Sequence, residues 1–327
     1  MLKEISIEII RKCPNNCLHC SSFSNKNCSE IIPYELFKKV VSGAKNLGLK
    51  TVCFSGGEPF LHPDIIEMIE YVYDIGLDSY VYSSGIYMDK DDIRGPIPQQ
   101  IFDRISNKVT KIIYNIEATQ KETYDIIMGT HGCFEFLKES IRRTTEAGVV
   151  AEGHFVPNRL NQNQIEETLQ FCIGLGVSKV SFLRLVNHGR ARENSDKLLL
   201  SNEQIADIKC KLVKILNENK YSIRIGVPLL GETEECHCEA ANGKLNIRYD
   251  GKVFPCEVFK NNGVEPLSDC EPDNIYEKSI EYIYKDSLYL KKARELVKSH
   301  VGCISCEQCV GCLLYTSPSP RDRTRSR

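Results

Sequence analysis

Short β-branched runs alternate with longer stretches of helical period from residue 3 to residue 220, and no other feature restricts the fold of this chain so strongly. Strand, helix and strand in succession argue for a right-handed parallel crossover, and their repetition argues for an α/β protein with a parallel sheet covered by helices. Six runs qualify as strands: EISIEII at 4–10, TVCFS at 51–55, SYVYS at 79–83, KIIYNI at 111–116, VAEGHFV at 150–156 and KVSFLRLV at 179–186. The first helices between them have sharp ends. PYELFKKVVSGAKNLG opens at Pro33 and stops at Gly48, and HPDIIEMIEYVYDIG runs from Pro63 to Gly76, proline first and glycine last. FEFLKESIRRTTEAG, NQNQIEETLQFCIGLG and SNEQIADIKCKLVKILNENK complete the set, while GPIP within residues 86–108 predicts a loop and then a short helix.

After Tyr221 the texture changes to turns (GETEEC, ANGK, YDGK, NNG), short strands (KLNIRY, KVFPC) and a late helix, SIEYIYKDSLYLKKARELVKSH. The expected boundary lies near Pro228, giving a larger unit over residues 1–228 and a small cysteine-rich unit over 229–311. Residues 312–327 have a different character. Back-translated, CLLYTS resembles a transposon-type sequencing adapter and PSPRD continues it, which would end the natural reading near Gly311; a genuine basic tail is the alternative.

Lys and Arg number 42 against 44 for Asp and Glu, so no basic excess exists to gather a nucleic acid or an anionic membrane. MLKEISIEII lacks the basic flank, apolar block and small-residue cleavage site of a secretory signal, and no apolar run approaches the ~20 residues of a membrane span. The expectation is a cytoplasmic, soluble protein. In that compartment 16 cysteines are better metal ligands than disulfides where they cluster. They cluster as Cys13, Cys17 and Cys20; Cys236, Cys238 and Cys256; and Cys303, Cys306, Cys309 and Cys312, whereas Cys28, Cys53, Cys133, Cys172, Cys210 and Cys270 are scattered and suit small apolar filler.

CPNNCLHC, directly after the first strand, offers three thiols where a closed tetrahedral site needs four. Three thiolates can hold three irons of a 4Fe-4S cluster and leave the fourth open to a ligand. A zinc site completed by His19 is the alternative.

Cys13, Cys17 and Cys20 as C-x3-C-x2-C, followed by SGGEP at Ser55 to Pro59 after the second strand, resemble the radical S-adenosylmethionine superfamily. The resemblance implies a partial (β/α)6 barrel, a 4Fe-4S cluster on the three cysteines and S-adenosylmethionine bound through its open iron. It further implies reductive cleavage of that cofactor to a 5'-deoxyadenosyl radical, with electrons from a donor such as flavodoxin or ferredoxin. Gly56, Gly57, Glu58 and Pro59 then fall at the methionine-binding motif, and Ser83 and Ser84 of YSSG at the family's ribose contacts. Asn115 and Glu117 stand in NIEA, where relatives often carry S-L-D-G, and Arg184 resembles a carboxylate-binding position after strand six. Arg190 in HGRA likewise resembles a position after strand six that could meet a substrate or cofactor carboxylate, with a solvated surface arginine as the favoured alternative. Gly56 and Gly57 also have a physical reason of their own, because backbone that approaches a ligand closely cannot carry a Cβ.

Cys238, Gly251 and Cys256 reproduce C-x(9-15)-G-x4-C of the SPASM or twitch extension, and Cys303 and Cys306 supply the C-x2-C that follows. The resemblance implies one or two auxiliary 4Fe-4S clusters among Cys236, Cys238, Cys256, Cys303, Cys306 and Cys309. Cys309 comes earlier than the pattern has it, and a zinc ribbon around the hairpin is the alternative. Three function classes follow: a radical enzyme modifying a peptide or protein side chain, a radical enzyme of small-molecule cofactor biosynthesis, and a non-catalytic iron-sulfur or zinc module. No spacing in the chain singles out a catalytic base.

Overall fold

The computed structural model of the protein describes residues 1–226, 229, 238–261, 267 and 269–298. Its strands are β1 (Glu4–Ile10), β2 (Thr51–Gly56), β3 (Asp78–Ser83), β4 (Ile86–Met88), β5 (Arg94–Pro96), β6 (Lys111–Asn115), β7 (Ala151–Phe155), β8 (Lys179–Phe182), β9 (Ile223–Ile225), β10 (Lys244–Ile247) and β11 (Val253–Phe254). Nine of them form one sheet in the order β11-β10-β1-β2-β3-β6-β7-β8-β9. All pairings along β10-β1-β2-β3-β6-β7-β8-β9 are parallel, and only β11 runs antiparallel, against β10. The six expected strands are therefore consecutive neighbours, and β9 and the β10–β11 hairpin extend the sheet at its two edges.

Local chemistry sets the boundaries. Pro33 precedes the helix Tyr34–Asn46, and Gly48 leaves it at φ +100; Gly76 at φ +74 follows the helix Ile65–Asp74. Ser201 caps the helix Asn202–Glu218, with Gln204 reaching back to close a capping box. The region 86–108 holds more than a loop: β4 and β5 pair antiparallel before the helix Gln99–Ile105. A further helix, Lys121–Met128, was not expected. The late helix divides at Ser287 (φ −52, ψ 123) into Ile280–Asp286 and Leu288–Lys298, and the Ser287 hydroxyl accepts the amide of Leu290 to restart it.

The sheet has two unlike faces. Ile5, Ile7, Ile9, Val52, Phe54, Val81, Ile112 and Tyr114 point into the large core beneath the helices. By the period of two, the opposite face carries Glu4, Ser6, Glu8, Tyr80, Lys111, Glu152, His154, Ser181, Lys244 and Asn246, and the parallel register sets them side by side. Every residue of β1 is buried, its two glutamates included. Such carboxylates must be compensated. Lys244 on β10 reaches Glu4 at 2.9 Å, and Lys260 reaches Glu8 at 2.5 Å.

Among the described residues no helix is long and apolar enough to cross a membrane.

Candidate active site

The loop after β1 carries the three cysteines. Cys13 is buried, while Cys17 and Cys20 are half-buried and Cys20 turns back so that its N–H meets the Cys17 carbonyl at 3.2 Å. Backbone bonds dock the loop on the helix Lys121–Met128: the Asn16 N–H donates to Met128 O (3.1 Å) and the Leu18 N–H to Ile127 O (2.8 Å). Its remaining carbonyls are gathered by long donors from elsewhere. Arg94 Nε takes Pro14 O (3.0 Å), Arg190 Nε takes Cys17 O (2.8 Å), Arg190 Nη2 takes Ser24 O (2.8 Å) and Asn261 Nδ2 takes Ser21 O (2.9 Å). Such a loop is held by side chains up to 240 positions away in sequence.

Burial and the neighbouring thiols push Cys13 and Cys17 well above the usual thiol range, with Arg190 pulling Cys17 the other way. Without a metal these are neutral thiols, and coordination is what would deprotonate them.

At the end of β2, Gly56 (φ +131) and Gly57 press on this loop. A Cβ on either would stand 2.1 Å from a carbonyl oxygen, that of Ile10 for Gly56 and that of Lys12 for Gly57. The Gly57 and Glu58 amides donate to those same two carbonyls, at 2.6 and 2.9 Å. The glycines thus serve the joint between two strand ends, a reason that stands beside the ligand approach expected from the sequence. Glu58, fully buried, turns its carboxylate to the end of β3: it accepts Ser83 Oγ (2.8 Å), Ser84 N (2.8 Å) and Ser84 Oγ (2.6 Å). Burial pushes Glu58 up to about 7 against the pull of these donors. Pro59 begins the 3-10 turn Pro59–Leu61. Ser83 and Ser84 also accept the amides of Gly85 and Ile86, so both hydroxyls are engaged with protein.

Asn115 ends β6 opposite His154, and Glu117 lies just beyond it, buried and pushed up to about 8 by desolvation. His19 Nε2 approaches Glu117 Oε1 at 3.5 Å, and burial with Arg190 nearby lowers His19 to about 4, so the imidazole is neutral. Several buried polar atoms around the cysteine loop have no hydrogen-bond partner among the described residues: both amide atoms of Asn15, His19 Nδ1, Ser24 Oγ and Glu117 Oε2. Each such atom costs about 1–3 kcal/mol unless something else meets it, so their concentration beside three thiols fits a bound polar group there. Arg184, beyond β8, is half-buried with its pKa lowered by desolvation. Among the described residues no three Cys, His, Asp or Glu side chains converge on one point as a single metal ion requires.

Cys238 is half-buried and Cys256 buried, near enough that the Cys238 thiol adds to the burial that raises Cys256. Cys236, Cys303, Cys306 and Cys309 lie outside the described residues, as do Pro228 and residues 312–327. Four residues after Cys256, the Lys260 ammonium donates to Glu8 and to Ser22 Oγ (2.8 Å), tying the hairpin segment to β1 and to the cysteine loop. Sequence reasoning missed Lys260, and it set Arg190 in solvent where the structure sets it against the cysteine loop. HGRA marked the right segment, yet nothing in it signals a contact 173 positions upstream.

The family model for the Radical SAM superfamily matches residues 7–172, about half of the chain. The PqqA peptide cyclase of Bradyrhizobium diazoefficiens is 23% identical over 311 residues, 93% of this chain and 78% of the cyclase. The AdoMet-dependent heme synthase of Methanosarcina barkeri is 24% identical over 332 residues, 94% of this chain and 90% of the synthase. Among solved structures, Streptococcus suis SuiB bound to S-adenosylmethionine superposes with a TM-score of 0.73 at 16% identity, covering 95% of this chain and 72% of SuiB. SuiB has also been solved with its precursor peptide SuiA, where the TM-score is 0.72.

Proposed function

The chain belongs to the Radical SAM superfamily, and from that premise we propose that it cleaves S-adenosylmethionine reductively and uses the resulting radical to modify a peptide or protein side chain. Cys13, Cys17 and Cys20 would hold the 4Fe-4S cluster. The observation that carries this reading is the loop itself, three thiols on a braced backbone with unpartnered buried polar atoms around them. When bound, the cluster and S-adenosylmethionine supply the one-electron cleavage that yields the 5'-deoxyadenosyl radical.

The chain's own residues bind, orient and exclude water. Gly56, Gly57 and the Glu58 amide fix the end of β2 against the cysteine loop, and with Pro59 they would meet the methionyl end of bound S-adenosylmethionine. Glu58, Ser83 and Ser84 lock the ends of β2 and β3 together. Asn115 and Glu117 would supply polar atoms near the loop, Glu117 with an oxygen that has no partner among the described residues. Arg184 offers a half-buried cation suited to a carboxylate.

Cys238 and Cys256, with Cys236, Cys303, Cys306 and Cys309, are proposed to hold one or two auxiliary 4Fe-4S clusters in a SPASM-like unit over residues 229–311, which would accept the electron left after hydrogen abstraction or bind substrate. The peptide reading is supported by the likeness to the PqqA peptide cyclase and to SuiB, which has been solved with its precursor peptide. A second reading, a small-molecule substrate, is supported by the match that spans 90% of the heme synthase. The external donor in either case would be a flavodoxin or ferredoxin.

Anaerobic reconstitution with iron and sulfide, then dithionite and S-adenosylmethionine, tests the assignment. The parent chain should release 5'-deoxyadenosine and Cys17→Ala should not, with the circular dichroism of both alike. Equal release by the two would overturn it.

A further inference from the structure

The segment from Gly189 to Asn194, between β8 and the helix Asn202–Glu218, meets the cysteine loop at Gly189, Arg190 and Asn194. We propose that Arg190 is a positioning residue: its guanidinium fixes the loop that carries Cys17 and Cys20 and keeps an uncompensated positive charge beside it, which favours the reduced cluster. This rests on reading the three cysteines as cluster ligands.

The geometry of the brace is specific. Arg190 Nε donates to the Cys17 carbonyl at 2.8 Å and Nη2 to the Ser24 carbonyl at 2.8 Å, while the Arg190 backbone N–H donates to the Cys20 carbonyl at 2.9 Å. One residue thus spans the second and third cysteines and the chain beyond them. Asn194 Nδ2 adds the Leu18 carbonyl at 3.2 Å and bonds back to the Arg190 carbonyl at 2.9 Å. The preceding residue must be glycine: Gly189 has φ +56, and a Cβ there would stand 2.6 Å from Cys20 O and 2.7 Å from Ser21 O. A planar fork can bridge two carbonyls at once, whereas a lysine ammonium on a flexible stem reaches one.

Charge separates this brace from an ordinary tertiary contact. Both of these guanidinium bonds go to neutral carbonyl oxygens, and among the described residues no carboxylate forms an ion pair with Arg190. Its field is therefore available to the loop that it braces. Cluster potentials follow local net charge and hydrogen bonding, and reduction adds a negative charge, so a fixed cation at this distance draws the electron in.

Two measurements on the full chain test the two halves of the proposal. In the apo chain, deuterium uptake at the amides of residues 17–25 should rise several-fold in both Arg190→Gln and Arg190→Lys. In the anaerobically reconstituted proteins, an EPR-monitored redox titration should show a more negative midpoint for R190Q and a parent-like midpoint for R190K. Unchanged uptake in both variants would overturn the brace, and a parent-like midpoint in R190Q would overturn the role of charge. If R190Q takes up no cluster while R190K does, loading follows the charge and supports it; if neither loads, the exchange measurement decides. A parent chain without any cubane spectrum would sink the functional reading, yet the exchange result would still report on the brace.

Discussion

The Ser84 hydroxyl stands 2.6 Å from the Glu58 carboxylate, joining the strand end that carries the glycine pair to the strand end that carries the serine pair. Ser83 Oγ, the Ser84 amide and the Phe60 amide point at the same carboxylate, so four donors converge on one buried acid. The motif residue Glu58 is thereby committed to the scaffold under the site.

Burial raises Glu58 from 4.5 to about 7, which gives the pH dependence a definite sign. The folded chain keeps this proton up to about pH 7, whereas the unfolded chain releases it near 4.5. The Glu58 contribution is fully present below about 4.5, falls as pH rises toward 7 and is flat beyond. In paired urea titrations, the gap between the parent and Glu58→Gln should therefore change across that window and stay constant above it. A gap that is the same at all pH values would show that Glu58 titrates alike in the folded and the unfolded chain, and would overturn the raised value.

Gly57→Ala places a methyl carbon 2.1 Å from the Lys12 carbonyl oxygen, a backbone atom that cannot swing aside. Overpacking of this kind costs about 1–3 kcal/mol or more. The urea midpoint should fall by a corresponding amount, and the yield of cluster per chain should drop with it because the displaced backbone leads into Cys13. An unaltered midpoint would mean that the two loops are not held in this register.

Lys244 lies between Glu4 at 2.9 Å and Glu257 at 3.4 Å, with Lys244 and Glu4 buried and Glu257 half-buried. Lys244→Met removes the only member of this trio that carries positive charge, and breaking a buried pair costs roughly 3–5 kcal/mol. The loss should appear as a lower unfolding midpoint, with β10 and β1 exchanging amide protons faster than β6 and β7. Uniform protection across the sheet in the variant would refute a local origin.

Cys256→Ser separates the proposed auxiliary site from the first. Uncoupled release of 5'-deoxyadenosine should continue, iron per chain should fall, and product formation on the true substrate should stop. Unchanged iron content would remove Cys256 from the ligand set.

Much of this was legible in the chain itself. Six strands, most of the helices between them and the order of CPNNCLHC and SGGEP follow from local preferences, because periodicity and glycine or proline at element ends depend only on near neighbours. The division of the late helix at Ser287 and the β4–β5 ladder were not legible, since runs of three residues carry too little pattern to separate from a turn.

The sequence by itself determined the parallel α/β class and which residues stand at strand ends. Only the tertiary structure decided what holds them there: Arg190 on the cysteine loop, Lys260 on Glu8, and the glycine pair against the backbone after β1. The physical reason is that burying a carboxylate or a loop carbonyl needs a donor at one point in space, and the chain supplies it from 173 or 252 positions away, where no local period records it.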